Sequence, residues 1–149
     1  MSKSSSSLHI AVLCGGPSQE RGISLNSARS VIDHLSDSQI EVTPFYVDPH
    51  LNFYELGRAQ IYSNTPSDFD FKLADTYQRL DEDGLCRRLK DFDLVFPAIH
   101  GAFGEDGSLQ GLFEMADVPY AGCGVFASAA GMDKIRQKEL YARAGLPAL

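Results

Sequence analysis

One segment, residues 92–111, constrains the fold of this chain more than any other, and it reads FDLVFPAIHGAFGEDGSLQG. Its apolar run, residues 94–99, is typical of a strand that is buried on both faces, as in parallel sheets. The run ends at His100 and is followed by a loop with three glycines around the acidic pair Glu105-Asp106. Because open α/β sheets bind ligands at the carboxyl ends of their strands, this loop is a candidate binding site. The alternative is a loop that only reverses the chain, with His100 as an ordinary hydrogen-bonding residue.

A helix is predicted directly behind this loop, with Ser108 as its N-cap. Its apolar residues recur at helical spacing: Leu109, Leu112, Phe113 and Ala116. The segment therefore predicts the order strand, polar glycine loop, helix.

The first 50 residues predict a β-α-β unit. Residues 8–14 form an apolar run that predicts a buried strand, and an amphipathic helix with Ser24 as its N-cap follows. Residues 40–47 predict a second strand. Since such crossovers are right-handed, the two strands are expected to be parallel neighbours.

The middle of the chain, residues 51–79, predicts a hairpin insertion. It is polar and rich in aromatic residues, and Phe69, Phe71 and Leu73 alternate with polar residues as in a strand. Residues 81–90 then predict a short helix that leads into the strand at 94–99.

The last third of the chain predicts a short fourth strand at 118–121 and a small helical stretch at 125–130. Asp133 is the expected N-cap of a final helix, which ends near Gly145. The inward-facing residues of that helix are expected to be Ile135, Leu140 and Ala144.

Composition excludes several classes of protein. The 149 residues suit one domain, and the net charge of −7 argues against nucleic acid, which requires a basic surface. No apolar run approaches the ~20 residues of a membrane helix. Three widely spaced cysteines form neither a metal-binding pair nor a disulfide framework, which fits the reducing cytoplasm.

We expect three parts along the chain. Residues 1–7, a serine-rich stretch without the apolar core of a signal peptide, are expected to be a disordered tail. Residues 8–145 are expected to be one three-layer, Rossmann-like α/β domain with a small, mostly parallel sheet and the hairpin insertion. Residues 146–149 follow the last helix and are expected to begin a link to a further domain.

The loop after the first strand contains a carboxylate where a dinucleotide site would need glycines. It holds Gly15, Gly16 and Gly22, but the spacing G-x-G-x-x-G is absent, which argues against NAD. Glu20 would repel a phosphate and attract an amine. The alternative is that Glu20 and Arg21 form a solvated charge pair of little energetic consequence.

Lys134 lies where the final helix is expected to begin, a position at which the helix dipole disfavours a positive charge. A lysine there, beside free backbone N–H groups, is suited to hold a phosphate. The alternative is an ordinary surface lysine in a basic helix.

Three stretches together resemble a known family. They are GGPSQERGISLNS at 15–27, HGAFGEDGSLQG at 100–111 and PYAGCGVFASAAGMDK at 119–134. In this order and spacing they strongly resemble the amino-terminal, pre-ATP-grasp region of D-alanine–D-alanine ligases, over nearly the whole chain from Leu8. The resemblance implies an ATP-dependent, magnesium-dependent ligase of peptidoglycan synthesis, active in the cytoplasm in cell-wall biogenesis and the maintenance of cell shape. ATP would phosphorylate one D-alanine, and the amine of a second would displace the phosphate.

The resemblance also implies roles for individual residues. Glu20 would pair with the ammonium of the first D-alanine, His100 would neutralise charge on the substrate carboxylate, and Lys134 would contact the ATP phosphates. Ile23, Ser24 and Gly101 occupy further positions that match substrate-binding residues. The magnesium ligands are expected in a carboxyl-terminal domain outside this chain, and a homodimer is expected.

Two departures from the family pattern stand out. Gly22 occupies a position that is usually acidic, and the domains that supply most of the ATP pocket are not among these 149 residues. The chain alone is therefore expected to be inactive. The alternatives are a non-catalytic ligand-binding or dimerisation module derived from the ligase front domain and, ranked last, a free-standing nucleotide-binding domain.

Overall fold

The computed structural model describes residues 7–147 except 36 and 38, with the backbone alone for 74–76. The expected tail at 1–7 lies outside this description except for Ser7, and so do the last two residues of the expected link. Among the described residues, no helix is both long and apolar enough to cross a lipid bilayer. The elements, in chain order, are β1 (Leu8–Gly15), α1 (Arg21–Leu35), β2 (Ile40–Val47), β3 (Phe53–Glu55), α2 (Arg58–Ser63), α3 (Pro66–Thr76), β4 (Arg79–Leu80), α4 (Glu82–Leu89), β5 (Leu94–Pro97), α5 (Ser108–Met115), α6 (Val125–Met132) and α7 (Lys134–Arg143).

The sheet has five strands in the order β4-β3-β2-β1-β5. β1 pairs in parallel with both β2 and β5, with Ile10 opposite Val42 and Leu94. The predicted β-α-β unit is thus confirmed. β3 and β4 add to the other side of β2 as antiparallel strands. The predicted fourth strand at 118–121 is reduced to one parallel bridge, between Val95 and Tyr120.

Two apolar cores cover the two faces of this sheet, which confirms the three-layer α/β architecture. Alternate residues of β1 enter opposite cores, so that Val12 packs on one face and Leu13 on the other. The first core is closed mainly by α1 and α3, and the second by α4 and α5. Because β1 is covered on both faces, its sequence is a continuous apolar run without alternation.

The insertion differs from the prediction in its secondary structure. β3 and β4 do form an antiparallel pair, but two helices separate them, and the stretch predicted as a strand is α3. Thr65 and Asp68 make a reciprocal capping box at its start, with Pro66 in the first turn. Phe69 and Leu73, four residues apart, face the core, whereas Phe71 is 83% exposed. The capping box at Thr65 and Asp68, and not the apparent alternation of aromatic residues, thus corresponds to the observed secondary structure.

The helix termini contain two further differences and one confirmed prediction. α1 begins at Arg21, so Ser24 lies inside the first turn and is not the N-cap. The N-cap of α5 is Gly107 in the left-handed region, with φ of 94°, and not Ser108. The predicted cap of α7 is confirmed, because Asp133 accepts from the backbone N–H groups of Ile135 and Arg136 at 3.0 and 3.1 Å.

The packing predicted for α7 is wrong for the described part of the chain. Ile135 is 73% exposed and Leu140 is 37% exposed, and neither α6 nor α7 contains a buried residue. Periodicity identified the helix correctly, but its contact with α6 leaves the residues that were expected to point inward exposed.

Candidate functional site

Two loops meet at the carboxyl edge of the sheet because β1 and β5 run parallel and end side by side. The Ser18 hydroxyl donates to the carbonyl oxygen of His100 at 2.8 Å, a contact between positions 82 apart in sequence. The same hydroxyl accepts from the backbone N–H of Glu20 at 3.1 Å. Ser18 therefore joins the loop that carries Glu20 to the loop that carries His100.

The lack of a side chain at Gly101 lets these loops approach closely. An added Cβ at Gly101 would lie 2.9 Å from Glu20 Oε2 and 3.1 Å from the Cβ of Ser18. The φ of Gly101 is 73°, a conformation that favours glycine. The structure thus brings together three of the predicted site residues: Glu20, His100 and Gly101.

Glu20 is placed as a free carboxylate at a helix terminus. It is exposed, and its carbonyl accepts the first hydrogen bond of α1, from Ser24 N at 2.9 Å. Within the described ranges it forms no ion pair, whereas Arg21 is held by Asp70 of α3 at 2.7 and 3.3 Å. The alternative of a mutual Glu20–Arg21 pair is therefore not what the structure contains.

Ser24 is fully buried, and its hydroxyl is engaged within the fold. It accepts from Gly15 N at 2.8 Å and donates to the Ala98 carbonyl at 2.7 Å. These two contacts connect the ends of β1 and β5. Ser24 therefore stabilises the edge on which the site is built, and its hydroxyl is not presented to a ligand.

The acidic pair that follows His100 has a divided role. Asp106 accepts from Phe103 N at 2.8 Å and from Ser108 N at 3.0 Å. Burial opposes its ionisation, but these backbone hydrogen bonds outweigh that effect and hold the pKa of Asp106 below its usual value. Asp106 thus shapes the loop, whereas Glu105 points toward the histidine.

His100 is contacted at both ring nitrogens. Glu105 Oε1 lies 3.7 Å from Nδ1, and the Ser27 hydroxyl lies 2.9 Å from Nε2. Ser27 is not among the site residues predicted from the sequence. Its signal was its spacing of three residues from Ser24, which places both serines on one face of α1.

A cavity of about 340 Å³ opens beside His100. His100 and Glu105 lie on one side, and Ser128 and Met132 of α6 lie on another. Gln110 forms part of the wall and donates to the Gly104 carbonyl at 2.8 Å. The cavity is large enough for a small molecule such as an amino acid, and it combines a histidine, a carboxylate and apolar surface.

Two of the predicted site residues stand apart from this cluster. Lys134 is the first residue of α7, two positions beyond Met132 at the cavity wall, and it is exposed. Ile23 is 58% exposed on the first turn of α1. Neither takes part in the side-chain hydrogen bonds that join the two loops.

No group of three or more potential metal-binding side chains is present in the described part of the chain. The described site residues thus provide the carboxylate of Glu20, the imidazole of His100 and the ammonium of Lys134, but no cluster suited to a divalent cation.

The same arrangement of elements recurs in known proteins. The family model described as "D-ala D-ala ligase N-terminus" matches residues 9–123. The chain belongs to this family. It is 40% identical over 152 residues to a D-alanine–D-alanine ligase of Heliobacterium modesticaldum, covering 94% of this chain and 40% of that protein.

Solved structures of ligases are similar as well. The D-alanine–D-alanine ligase of Coxiella burnetii matches with a TM-score of 0.77 and 30% identity, covering 96% of this chain and 43% of that one. The VanG D-Ala:D-Ser ligase of Enterococcus faecalis matches with a TM-score of 0.74 and 32% identity, covering 93% and 42%. This chain thus spans about two fifths of the length of its relatives.

Replacing Ser24 by alanine tests the connection between β1 and β5. Ser24→Ala leaves Gly15 N without its acceptor and removes the donor to the Ala98 carbonyl. Leaving buried polar groups unpaired costs about 1–3 kcal/mol, so we expect the melting temperature to fall by roughly 3–10 °C in thermal denaturation. Ser30→Ala, an exposed position on the same helix, is the matched control and should change stability by no more than about 0.5 kcal/mol. Equal melting temperatures for the two variants would contradict the role of Ser24.

Proposed function

We propose that this chain is the amino-terminal part of an ATP-dependent ligase that joins two D-alanines through an acyl-phosphate intermediate. The observation that carries the proposal is the convergence of Glu20 and His100 on one edge of the sheet, linked through Ser18. Membership of the ligase family supports the same reaction. In the parent enzyme, the product would serve peptidoglycan synthesis in the cytoplasm.

Charge explains how Glu20 would recognise the first substrate. Its carboxylate forms no ion pair within the described residues and lies against Gly101, at the edge of the sheet where ligands bind. An ammonium ~4 Å away would be attracted by about 4 kcal/mol at an effective dielectric constant near 20. We infer that Glu20 binds the amine of the first D-alanine.

His100 and Lys134 would serve the anionic groups of the reaction. His100 lines the cavity and would lie beside the substrate carboxylate, where it would offset the charge that develops during phosphoryl transfer. Lys134 would hold a phosphate of ATP through its exposed ammonium alone, because Asp133 already accepts from the backbone N–H groups of Ile135 and Arg136. Ile23, Ser24 and Gly101 would shape the surface around the first substrate. Ser24 would do so indirectly, through the two strand ends it connects.

Magnesium would neutralise phosphate charge in the reaction. The described residues of this chain contain no cluster suited to hold it, so we place its ligands in the part of the parent ligase beyond this chain.

A homodimer is also proposed for the parent. The second substrate stays open between D-alanine and another D-residue, because similar structures include both a D-alanine–D-alanine ligase and a D-Ala:D-Ser ligase.

The second candidate is a ligand-binding or dimerisation module without catalytic activity. It would account for the exposed apolar side chains on α6 and α7, among them Phe126 and Ile135. The genomic reading frame distinguishes the two, because the ligase requires a continuation into an ATP-grasp domain. Isothermal titration calorimetry of the chain with D-alanine and with Mg-ATP would measure what this part binds alone.

The chain by itself is expected not to turn over ATP. Without a magnesium site among its described residues, the charge of the transferring phosphoryl group would not be neutralised. Phosphate release in the presence of D-alanine and Mg-ATP should equal that of a buffer blank, and no dipeptide should form. Phosphate release that persists after contaminating ATPase has been removed, and that is lost in His100→Gln, would show that the isolated chain is active. That result would overturn this expectation.

Glu20→Gln should weaken binding of the first D-alanine to the parent ligase. The substitution keeps size and hydrogen-bonding capacity but removes the charge, at a cost of about 1.5–3 kcal/mol, or roughly ten- to hundredfold in affinity. Steady-state kinetics should show a higher KM for D-alanine with the KM for ATP nearly unchanged. Glu82→Gln removes an equivalent charge from the first turn of α4 and should have no such effect. A change of less than twofold in Glu20→Gln would contradict the assignment.

Lys134→Ala should affect the other substrate. Removing a phosphate-binding charge should raise the KM for ATP or lower kcat by about tenfold or more, whereas the KM for D-alanine should stay within twofold. Lys138→Ala, an exposed lysine one turn farther along α7, is the matched control. If only the dependence on D-alanine changes, Lys134 has been assigned to the wrong substrate.

A further inference from the structure

We propose that Ser27 is a positioning residue that, together with Glu105, fixes the ring of His100 in one orientation. The hydroxyl of Ser27 lies 2.9 Å from Nε2, and Glu105 Oε1 lies 3.7 Å from Nδ1 on the opposite side of the ring. The geometry of the ring is a property of this chain. The catalytic consequence rests on the proposed function.

Both partners of the ring are themselves held in place. The second carboxylate oxygen of Glu105 accepts from the backbone N–H of Gly101 at 2.6 Å, so the carboxylate bridges the backbone and the imidazole. Ser27 lies on α1, one turn after Ser24, which bonds to the Ala98 carbonyl. One face of α1 thus contacts the segment after β5 at two successive points, the backbone at Ala98 and the side chain at His100.

The chemistry of the two partners determines where the proton of the neutral ring resides. At 3.7 Å the Glu105 carboxylate is too far from Nδ1 for a hydrogen bond, but its negative charge favours the tautomer that carries the proton on Nδ1. Nε2 is then unprotonated and accepts from the Ser27 hydroxyl, which can act as donor. A ring rotated by half a turn would place carbon atoms against both partners and lose both contacts. Ser27 and Glu105 together therefore select one rotamer and one tautomer.

The form of His100 that would offset charge on the substrate is the imidazolium, in which Nε2 donates to the Ser27 hydroxyl and the Nδ1 proton faces Glu105, so the same two partners would hold the ring in either protonation state. A fixed ring matters for the proposed reaction because electrostatic stabilisation depends on distance. His100 is one-third exposed at its side chain and borders the cavity, so without Ser27 it would have room to rotate. Small displacements of a catalytic group are costly to the rate even when the group itself is unchanged. Ser27 would therefore influence kcat without touching the substrate.

The first test measures the ring in this chain. Long-range ¹H–¹⁵N NMR reports the protonation of each imidazole nitrogen, and the signals of His100 are assigned by their loss in His100→Gln. At a pH where the ring is neutral, the chain should show the Nδ1–H tautomer. Ser27→Ala should shift or broaden the His100 resonances, Ser27→Thr should retain the original pattern, and Ser30→Ala should leave it unchanged. An Nε2–H tautomer in the unaltered chain, or identical spectra for Ser27→Ala, would overturn the proposal.

The second test measures catalysis in the parent ligase. Ser27→Ala should lower kcat by about three- to tenfold, as expected for the loss of one hydrogen bond, with the KM for ATP within twofold. Ser27→Thr, which keeps the hydroxyl, should restore most of the rate, and Ser30→Ala should match the unaltered enzyme. Full kcat in Ser27→Ala, or a loss that Ser27→Thr does not restore, would reject the positioning role. An unaltered parent without ligase activity would instead reject the proposed function and leave the NMR result to decide the ring geometry.

Discussion

The burial of β1 between two parallel neighbours and two layers of helices is the constraint on which the rest of the structure depends. Residues 11–14 are fully buried, and they alternate between the two apolar cores. Because β2 and β5 pair with opposite sides of β1, the three strands end at the same edge. Ser24 then connects two of these ends through its buried hydroxyl. The positions of Glu20 and His100 follow from that arrangement.

The insertion contributes to the site although it forms none of the cavity wall near His100. Asp70 of α3 pairs with Arg21 at 2.7 Å, and thereby holds the first turn of α1 next to Glu20. The aromatic rings of Tyr46 and Phe69 stack at 4.4 Å beneath the same region. Gly15 lies against the Tyr46 ring, because an added Cβ there would be 2.9 Å from Tyr46 Cε2 and would also clash with the Val47 carbonyl. The insertion thus keeps Arg21 engaged and leaves the neighbouring Glu20 carboxylate without an ion pair within the described residues.

The distribution of hydrogen bonds separates supporting residues from residues available to a ligand. Ser18, Ser24 and Asp106 bond to backbone groups and define the path of the two loops. Glu20 keeps its carboxylate unpaired within the described residues, and His100 remains partly exposed at the cavity. Backbone support beneath a few accessible side chains is the arrangement that the proposed electrostatic recognition would require.

The sequence by itself determined the α/β class, the parallel β-α-β core, the edge of the sheet that carries the site and the family. Apolar runs and helical spacing are local signals, and the motifs of the family cover the loops at the site together with residues of the helices that follow them. The sequence did not determine the partners of Ser24 and Ser27 or the helical state of 66–76, which depended on a capping box that competed with alternating aromatic residues. Ser27 and His100 are 73 positions apart in sequence. Only the tertiary structure brought them together, because the contact requires α1 to pack across the ends of two strands. It also left α7 without a buried residue in the described part of the chain, since burial depends on what packs against a helix and not on its periodicity.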